Sequence, residues 1–117
     1  MHELLERLHP SFEKAFKDKV SINELTYFSL QLNGKSALVI TNRYLYLIRK
    51  GLLSVKCLQY TLEEVEQLQI KDKKFLIFMK NNSAITLESL DSRKLSILAL
   101  LVKQYQDIRS SKTRQEI

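Results

Sequence analysis

Few side chains in this sequence have the types and spacing that enzymatic chemistry requires. The histidines are His2 and His9, both near the N-terminus, and the single cysteine is Cys57. Covalent catalysis needs a nucleophile and a base brought together, and no residue pattern here marks such a pair. Gly34 and Gly51 are the only glycines, too few for a glycine-rich phosphate loop. We therefore expect a non-enzymatic protein with no cofactor or metal site, in which Cys57 is a buried structural thiol.

The excess of basic residues is the clearest chemical signal. Nineteen Lys and Arg face thirteen Asp and Glu, which gives a net charge of +6 and an isoelectric point near 9.5. This balance favours an anionic partner: a membrane surface, nucleic acid or an acidic protein. Charge count alone supports about equally the alternative of a soluble protein that is basic without such a partner. Nucleic acid is the weaker hypothesis, because the tyrosines that could stack bases alternate with apolar residues: Tyr27, Tyr44, Tyr46 and Tyr60.

Length and composition indicate one globular domain. The chain has 117 residues, of which 44% are hydrophobic and 27% charged, as in an ordinary folded protein. No apolar run approaches the roughly 18 residues that span a bilayer, and the charged N-terminus does not resemble a secretory signal. A lone cysteine gives no sign of an oxidising compartment. We expect a cytoplasmic protein that is at most peripheral to a membrane.

The N-terminal segment has helical periodicity. Leu5, Leu8, Phe12 and Phe16 fall on one stripe of a helix over residues 2–18. Pro10 interrupts this pattern, so we expect either a kink at that point or a helix that starts afresh with Pro10 in its first turn.

After Ser21 the period changes to two, which is typical of strands. Asn33-Gly34 is a strong hairpin signal because both residues tolerate positive φ, and Thr41–Arg43 marks a second tight turn. The predicted strands cover residues 25–32, the two halves of Ala37–Lys50, and then Val55–Thr61, Val65–Lys71, Phe75–Lys80 and Ala84–Glu88.

A helical pattern returns at the C-terminal end. Asp91 or Ser92 is placed to cap the helix, and an apolar stripe follows at Leu95, Leu98, Leu101, Tyr105 and Ile108. The predicted order is therefore an N-terminal helical segment over 1–21, an α+β domain over 22–109 and a polar tail over 110–117. Such an antiparallel sheet is expected to bend into a sandwich or partly open barrel that the last helix closes.

Two stretches carry a resemblance to a known superfold. The sequences "LVITNRYLYLIRKGLLSVKCLQYTLEEVEQLQI" and "ITLESLDSRKLSILALLV" resemble the core and closing helix of small bacterial pleckstrin-homology-like (PH-like) domains. Similar cores occur in the tails of class I myosins and in the N-terminal PH domain of leucine-rich-repeat regulators of actin capping protein, and the latter also has a preceding helix. The resemblance implies a seven-stranded antiparallel barrel or sandwich with a C-terminal capping helix, acting in lipid or protein binding.

Two features depart from ordinary PH domains. The chain has no tryptophan, so Leu98 or Leu101 would fill the space that a tryptophan of the closing helix usually occupies. The basic motif of phosphoinositide-binding PH domains is also missing, because Ser36–Asn42 contains no basic residue. We therefore do not expect high-affinity recognition of a phosphoinositide headgroup.

On the PH-like path, three loops emerge at the same end and form a basic rim. The residues expected there as ligand-binding are Lys35, Arg49, Lys50, Lys56 and Lys80. Leu52 and Leu53 lie between these charges and are expected to insert into a membrane, to pack beneath the loop or to contact a partner subunit.

Three hypotheses follow. The preferred one is weak peripheral binding to anionic phospholipid through the rim, at about 1 kcal/mol for each basic residue. The alternative is a protein-interaction or self-assembly module, including a homo-oligomer, that uses a sheet edge, the Leu5–Phe16 stripe or the two leucines. Nucleic-acid binding is the least favoured.

Overall fold

The computed structural model describes the backbone of residues 4–115 and the side chains of residues 5–108, which divide into two compact units between Tyr60 and Thr61. The first unit holds β1 (Leu4–Leu5), α1 (Pro10–Lys17), β2 (Thr26–Asn33), β3 (Ser36–Thr41), β4 (Tyr44–Lys50) and nearly all of β5 (Val55–Thr61). The second unit holds β6 (Val65–Lys71), β7 (Lys74–Met79), β8 (Ala84–Leu87) and α2 (Ser92–Gln115). The class is α+β, as predicted, with seven antiparallel strands in two sheets, and within the described residues neither sheet closes on itself.

The first sheet has the strand order β1-β2-β3-β4-β5. Apolar residues of the central strand β3 are buried on both faces of the sheet. Ala37 and Val39 pack beside Leu8 and Phe12 in one core cluster, while Leu38 points to the opposite face and is also fully buried. Burial on both faces explains why Ala37–Lys50 is so rich in apolar residues that it mimics a buried helix in sequence.

The predicted helix over residues 2–18 is wrong for its first half. Leu4 and Leu5 pair in parallel with β2 instead, and helix α1 begins only at Pro10. Residues 2 and 3 lie outside the described residues. Proline suits the first turn of a helix because its missing N–H would have no partner there, so the alternative of a fresh start at Pro10 is confirmed.

The Asn33-Gly34 hairpin exists, but the reason given for it is wrong. Neither residue has positive φ. The Asn33 side chain shapes the turn instead, since its Oδ1 accepts hydrogen bonds from the Lys35 N–H at 2.8 Å and from the Ser36 hydroxyl at 3.1 Å. Asparagine here mimics a backbone turn with its side chain.

The β6–β7 turn uses left-handed backbone at two successive residues. Asp72 and Lys73 have φ of 54° and 63°, and Lys71 pairs with Lys74 on either side of them. Two central residues with positive φ match the type I′ turn that suits the twist of a two-residue hairpin. No glycine announces this turn in the sequence.

The second unit places α2 against its three-stranded sheet. All of the predicted stripe residues from Leu98 to Ile108 are buried, and Asp91 caps the helix, because its Oδ1 accepts the Lys94 N–H at 2.8 Å. The Tyr105 hydroxyl is placed 3.2 Å from the backbone carbonyls of Leu62 and Val65, so one hydroxyl ties α2 to the start of β6. The helix continues to Gln115, into the segment expected to be a polar tail.

Candidate functional site

One end of the first sheet gathers basic side chains. The β2–β3 turn and the end of β4 meet there, because the Lys50 N–H donates to the Lys35 carbonyl at 2.8 Å and Arg49 pairs with Ser36. All three of Lys35, Arg49 and Lys50 have exposed side chains. Hairpin register therefore places the backbones of these three basic residues next to one another at one end of the sheet.

The loop that follows β4 carries two apolar residues into solvent. Gly51 and Ser54 close the loop through a hydrogen bond from the Gly51 N–H to the Ser54 carbonyl at 2.8 Å. Leu52 and Leu53 at its tip are 104% and 99% exposed. Neither leucine packs beneath the loop, so that alternative is wrong. Contact of the two leucines with a membrane or a partner stays a prediction.

The other two predicted rim residues differ in their positions. Lys56 is the second residue of β5, so it follows the leucine loop closely in the same unit, and its side chain is exposed. Lys80 belongs to the second unit, where its N–H donates to the Glu64 carbonyl. We name the candidate site of the first unit the basic-leucine end; it consists of Lys35, Arg49, Lys50, Leu52, Leu53 and Lys56.

The distribution of charge along the first unit adds to the positive charge of this end. From Thr26 to Tyr60 the chain has no acidic residue, whereas five basic residues occur: Lys35, Arg43, Arg49, Lys50 and Lys56. The acidic residues of the first unit all precede β2. Counting charges segment by segment would have revealed this without a structure.

A polar cluster lies at the opposite end of β3. The Glu24 carboxylate accepts the Thr41 hydroxyl at 2.7 Å, the Tyr46 hydroxyl at 2.7 and 2.8 Å, and the Ser21 N–H at 3.1 Å. Burial opposes ionisation of Glu24, but these hydrogen bonds outweigh it and hold the pKa below its ordinary value of 4.5. Burial, followed by the hydrogen bond to Glu24, raises the pKa of Tyr46.

This cluster has a structural role, because its hydrogen bonds join two segments that are distant in sequence. Leu25 and Asn42 exchange two further hydrogen bonds, of 3.0 and 2.9 Å, and the Thr41 hydroxyl accepts the N–H groups of Arg43 and Tyr44, both at 3.1 Å. The Thr-Asn-Arg pattern that carries the resemblance thus joins the β3–β4 turn to the segment before β2. Tyr46 is fully buried against Phe16, so its ring faces no base.

The candidate catalytic residues remain dispersed. His9 is exposed at the start of α1, and His2 lies outside the described residues. Cys57 is half-buried, and burial raises its pKa to about 11, against a smaller opposing effect of Lys19, so the thiolate that reacts as a nucleophile is scarce at neutral pH. Within the described part of the chain, no group of three His, Cys, Asp or Glu is arranged to hold a metal ion.

A groove of about 320 Å³ lies between the segment before α1, the helix itself and the face of the first sheet on which α1 packs. Its lining mixes apolar, acidic and basic side chains: Leu5, Glu6, Arg7, Leu8, Glu13, Phe16, Thr26, Ser29 and Val39. None of the residues of the basic-leucine end lines it.

The comparisons with known proteins return no match: no family model, no curated protein and no solved structure matches the chain. Among the described residues, no helix has the length and apolar character needed to cross a membrane.

Proposed function

We propose that this chain is a non-enzymatic module with a PH-like fold that binds anionic phospholipid surfaces weakly and reversibly through its basic-leucine end. The observation that carries the proposal is the pair of fully exposed leucines, Leu52 and Leu53, at a loop tip beside three exposed cations. Apolar side chains that water surrounds on all sides are unfavourable unless a partner covers them. Cations around them select an anionic interface.

The order of elements supports the PH-like part of the proposal. A four-stranded antiparallel series, β2 to β5, precedes a three-stranded series, β6 to β8, and one long helix follows. The additional β1 and α1 precede this arrangement, in keeping with the helix that precedes the core in one of the similar eukaryotic groups.

The energies suit reversible recruitment. Lys35, Arg49, Lys50 and Lys56 contribute about 1 kcal/mol each near an anionic leaflet, or about 4 kcal/mol together. Full burial of a leucine side chain contributes about 1.5–3 kcal/mol, and insertion at the interface yields part of that for each leucine. The sum corresponds to a dissociation constant between roughly millimolar and micromolar.

Co-sedimentation with vesicles tests the proposal. The wild-type chain should bind vesicles of mixed phosphatidylcholine and phosphatidylserine, bind pure phosphatidylcholine much less, and lose binding as salt rises. The double variant Arg49→Glu/Lys50→Glu should weaken binding by about 30-fold or more, since it removes two attractions and adds two repulsions, worth at least about 2 kcal/mol. Leu52→Ser/Leu53→Ser should weaken it while preserving the salt dependence.

The matched control is Lys14→Glu/Lys17→Glu. It changes the net charge by the same amount on exposed positions of α1, an element that contributes no residue to the basic-leucine end. This control should bind nearly as wild type does. Equal losses in the two charge-reversed variants would show that only net charge matters, and undiminished binding by Arg49→Glu/Lys50→Glu would refute the proposal.

A further inference from the structure

We propose that β5 is a homodimerisation strand, which pairs antiparallel with β5 of a second copy about a two-fold axis at Leu58. In the described part of the chain, β5 is the last strand of the first sheet, with β4 on one side and no further strand in that sheet. An edge strand presents a row of backbone N–H and C=O groups that can pair with another strand. This inference does not depend on the proposed membrane function.

The strand lacks the devices that usually protect an edge. Val55–Thr61 is seven residues long, contains no proline or glycine, and has no residue with positive φ. Natural edges are commonly short, bulged, or interrupted by proline or charges. Lys56 is the only charge in β5, and it lies near one end, so the centre of the strand is free of charge.

Exposure along β5 is also unusual. Lys56, Leu58 and Gln59 are exposed, and Leu58 is 37% exposed in the middle of a strand. Val55 and Cys57 pack towards the core cluster on the α1 side of the sheet. Because side chains alternate along a strand, Leu58 lies on the other face, where a second copy would cover it.

The occupant is a second β5 because the strand complements itself. With the axis at Leu58, antiparallel pairing sets Val55 opposite Thr61, Lys56 opposite Tyr60, Cys57 opposite Gln59, and Leu58 opposite its own copy. Like charges directly opposite each other would destabilise a cross-strand pair, and this register contains none. The Lys56 ammonium instead meets an aromatic ring, and two leucines meet at the axis. Antiparallel pairing also allows the two strands to exchange equivalent contacts, as a closed two-fold dimer requires.

The oligomeric state in the absence of lipid tests the inference. In sedimentation velocity over a series of concentrations, the wild-type chain should shift from its monomer mass of 13.8 kDa towards twice that value. Leu58→Lys should remain monomeric, because two lysines would then face each other at the axis. Leu100→Lys is the matched control, since Leu100 is an exposed leucine of α2, 47% exposed, and this variant should dimerise as wild type does.

A cross-link tests the register and does not depend on how Leu58→Lys folds. Directly opposed residues of an antiparallel pair have Cα atoms about 4.5–5.5 Å apart, within the usual range of a disulfide. Cys57→Ser/Leu58→Cys should form a disulfide-linked dimer under mild oxidation, while Cys57→Ser/Leu100→Cys should not. A wild-type chain that stays monomeric at every concentration, or equal cross-linking of the two cysteine variants, would overturn the inference. Because no lipid is present, either result leaves the membrane proposal intact.

Discussion

At the scale of single residues, Thr41 and Glu24 hold the β3–β4 turn in place through their side-chain hydrogen bonds. Thr41 is fully buried and its hydroxyl serves Glu24 as a donor and two backbone N–H groups as an acceptor. Glu24 in turn connects the segment before β2 to two strands. Polar residues in this arrangement hold a turn in place, and removing one member leaves the others without partners.

We expect Thr41→Val to lower the free energy of unfolding by about 2 kcal/mol, because it keeps the shape of the side chain but removes every hydrogen bond of the hydroxyl. Thr41→Ser is the matched control, which keeps the hydroxyl and loses one methyl group, worth about 1 kcal/mol. Urea denaturation measures both. A serine variant as unstable as the valine variant would show that packing, and not the hydroxyl, stabilises the turn.

Glu24 should make stability depend on pH. Its pKa is lower in the folded chain than the ordinary 4.5, so its stabilising effect is complete above 4.5 and is lost as pH falls through the lower folded value. We expect Glu24→Gln to cost about 1 kcal/mol at neutral pH and nearly nothing in acid well below that range. Urea denaturation at the two pH values tests this, and a cost that is the same at both would contradict it.

At the scale of elements, the turns show that residue type alone does not determine backbone conformation. The Asn33-Gly34 turn needs no positive φ, whereas the Asp72-Lys73 turn uses it twice without a glycine. Left-handed backbone costs a residue with a side chain about 1–2 kcal/mol. The β6–β7 hairpin accepts this cost because type I′ geometry fits its strands.

Exchanging the turn chemistry should therefore stabilise the chain. We expect Asp72→Asn/Lys73→Gly to raise the free energy of unfolding by about 1 kcal/mol, because Asn-Gly is the preferred type I′ pair. Gly34→Ala provides the contrast: its new Cβ would meet no atom within 4 Å and its φ is not positive, so it should be neutral or stabilising by about 0.5 kcal/mol. Thermal denaturation measures both, and strong destabilisation by Gly34→Ala would show that this turn needs glycine after all.

At the scale of the molecule, the two proposals combine into a geometric consequence. Antiparallel pairing of two β5 strands sends the leucine loops that precede them towards opposite ends of the joined sheet. A dimer of this kind carries one basic-leucine end at each extremity of that sheet. Such a dimer would therefore bridge two anionic surfaces and would not bind a single surface through both of its basic-leucine ends.

Vesicle clustering tests this consequence. Wild-type chain should raise the turbidity of vesicles that contain phosphatidylserine, and Leu58→Lys should cause at least a several-fold smaller rise while still co-sedimenting with the same vesicles, since the basic-leucine end is intact. Leu100→Lys should cluster vesicles as wild type does. If Leu58→Lys clustered vesicles as strongly as wild type does, vesicle bridging would not require pairing of two β5 strands.

The sequence by itself determined most of the strands and the core face of α2. The period-two alternation and the stripe from Leu95 to Ile108 are local patterns, and burial follows directly from them. The sequence also shows that the stretch from Thr26 to Tyr60 has basic residues and no acidic ones. These features depend on residues close together in the chain, which is why reasoning from spacing finds them.

Tertiary structure decided the N-terminal segment and the membership of the basic end. Leu5 and Leu8 have helical spacing, yet residues 4–5 pair with the edge of β2 because a strand edge offers backbone hydrogen bonds that a short helix before Pro10 cannot match. Lys35 joins Arg49 and Lys50 through hairpin register. Such placements rest on hydrogen bonds between residues distant in sequence, which no local pattern encodes.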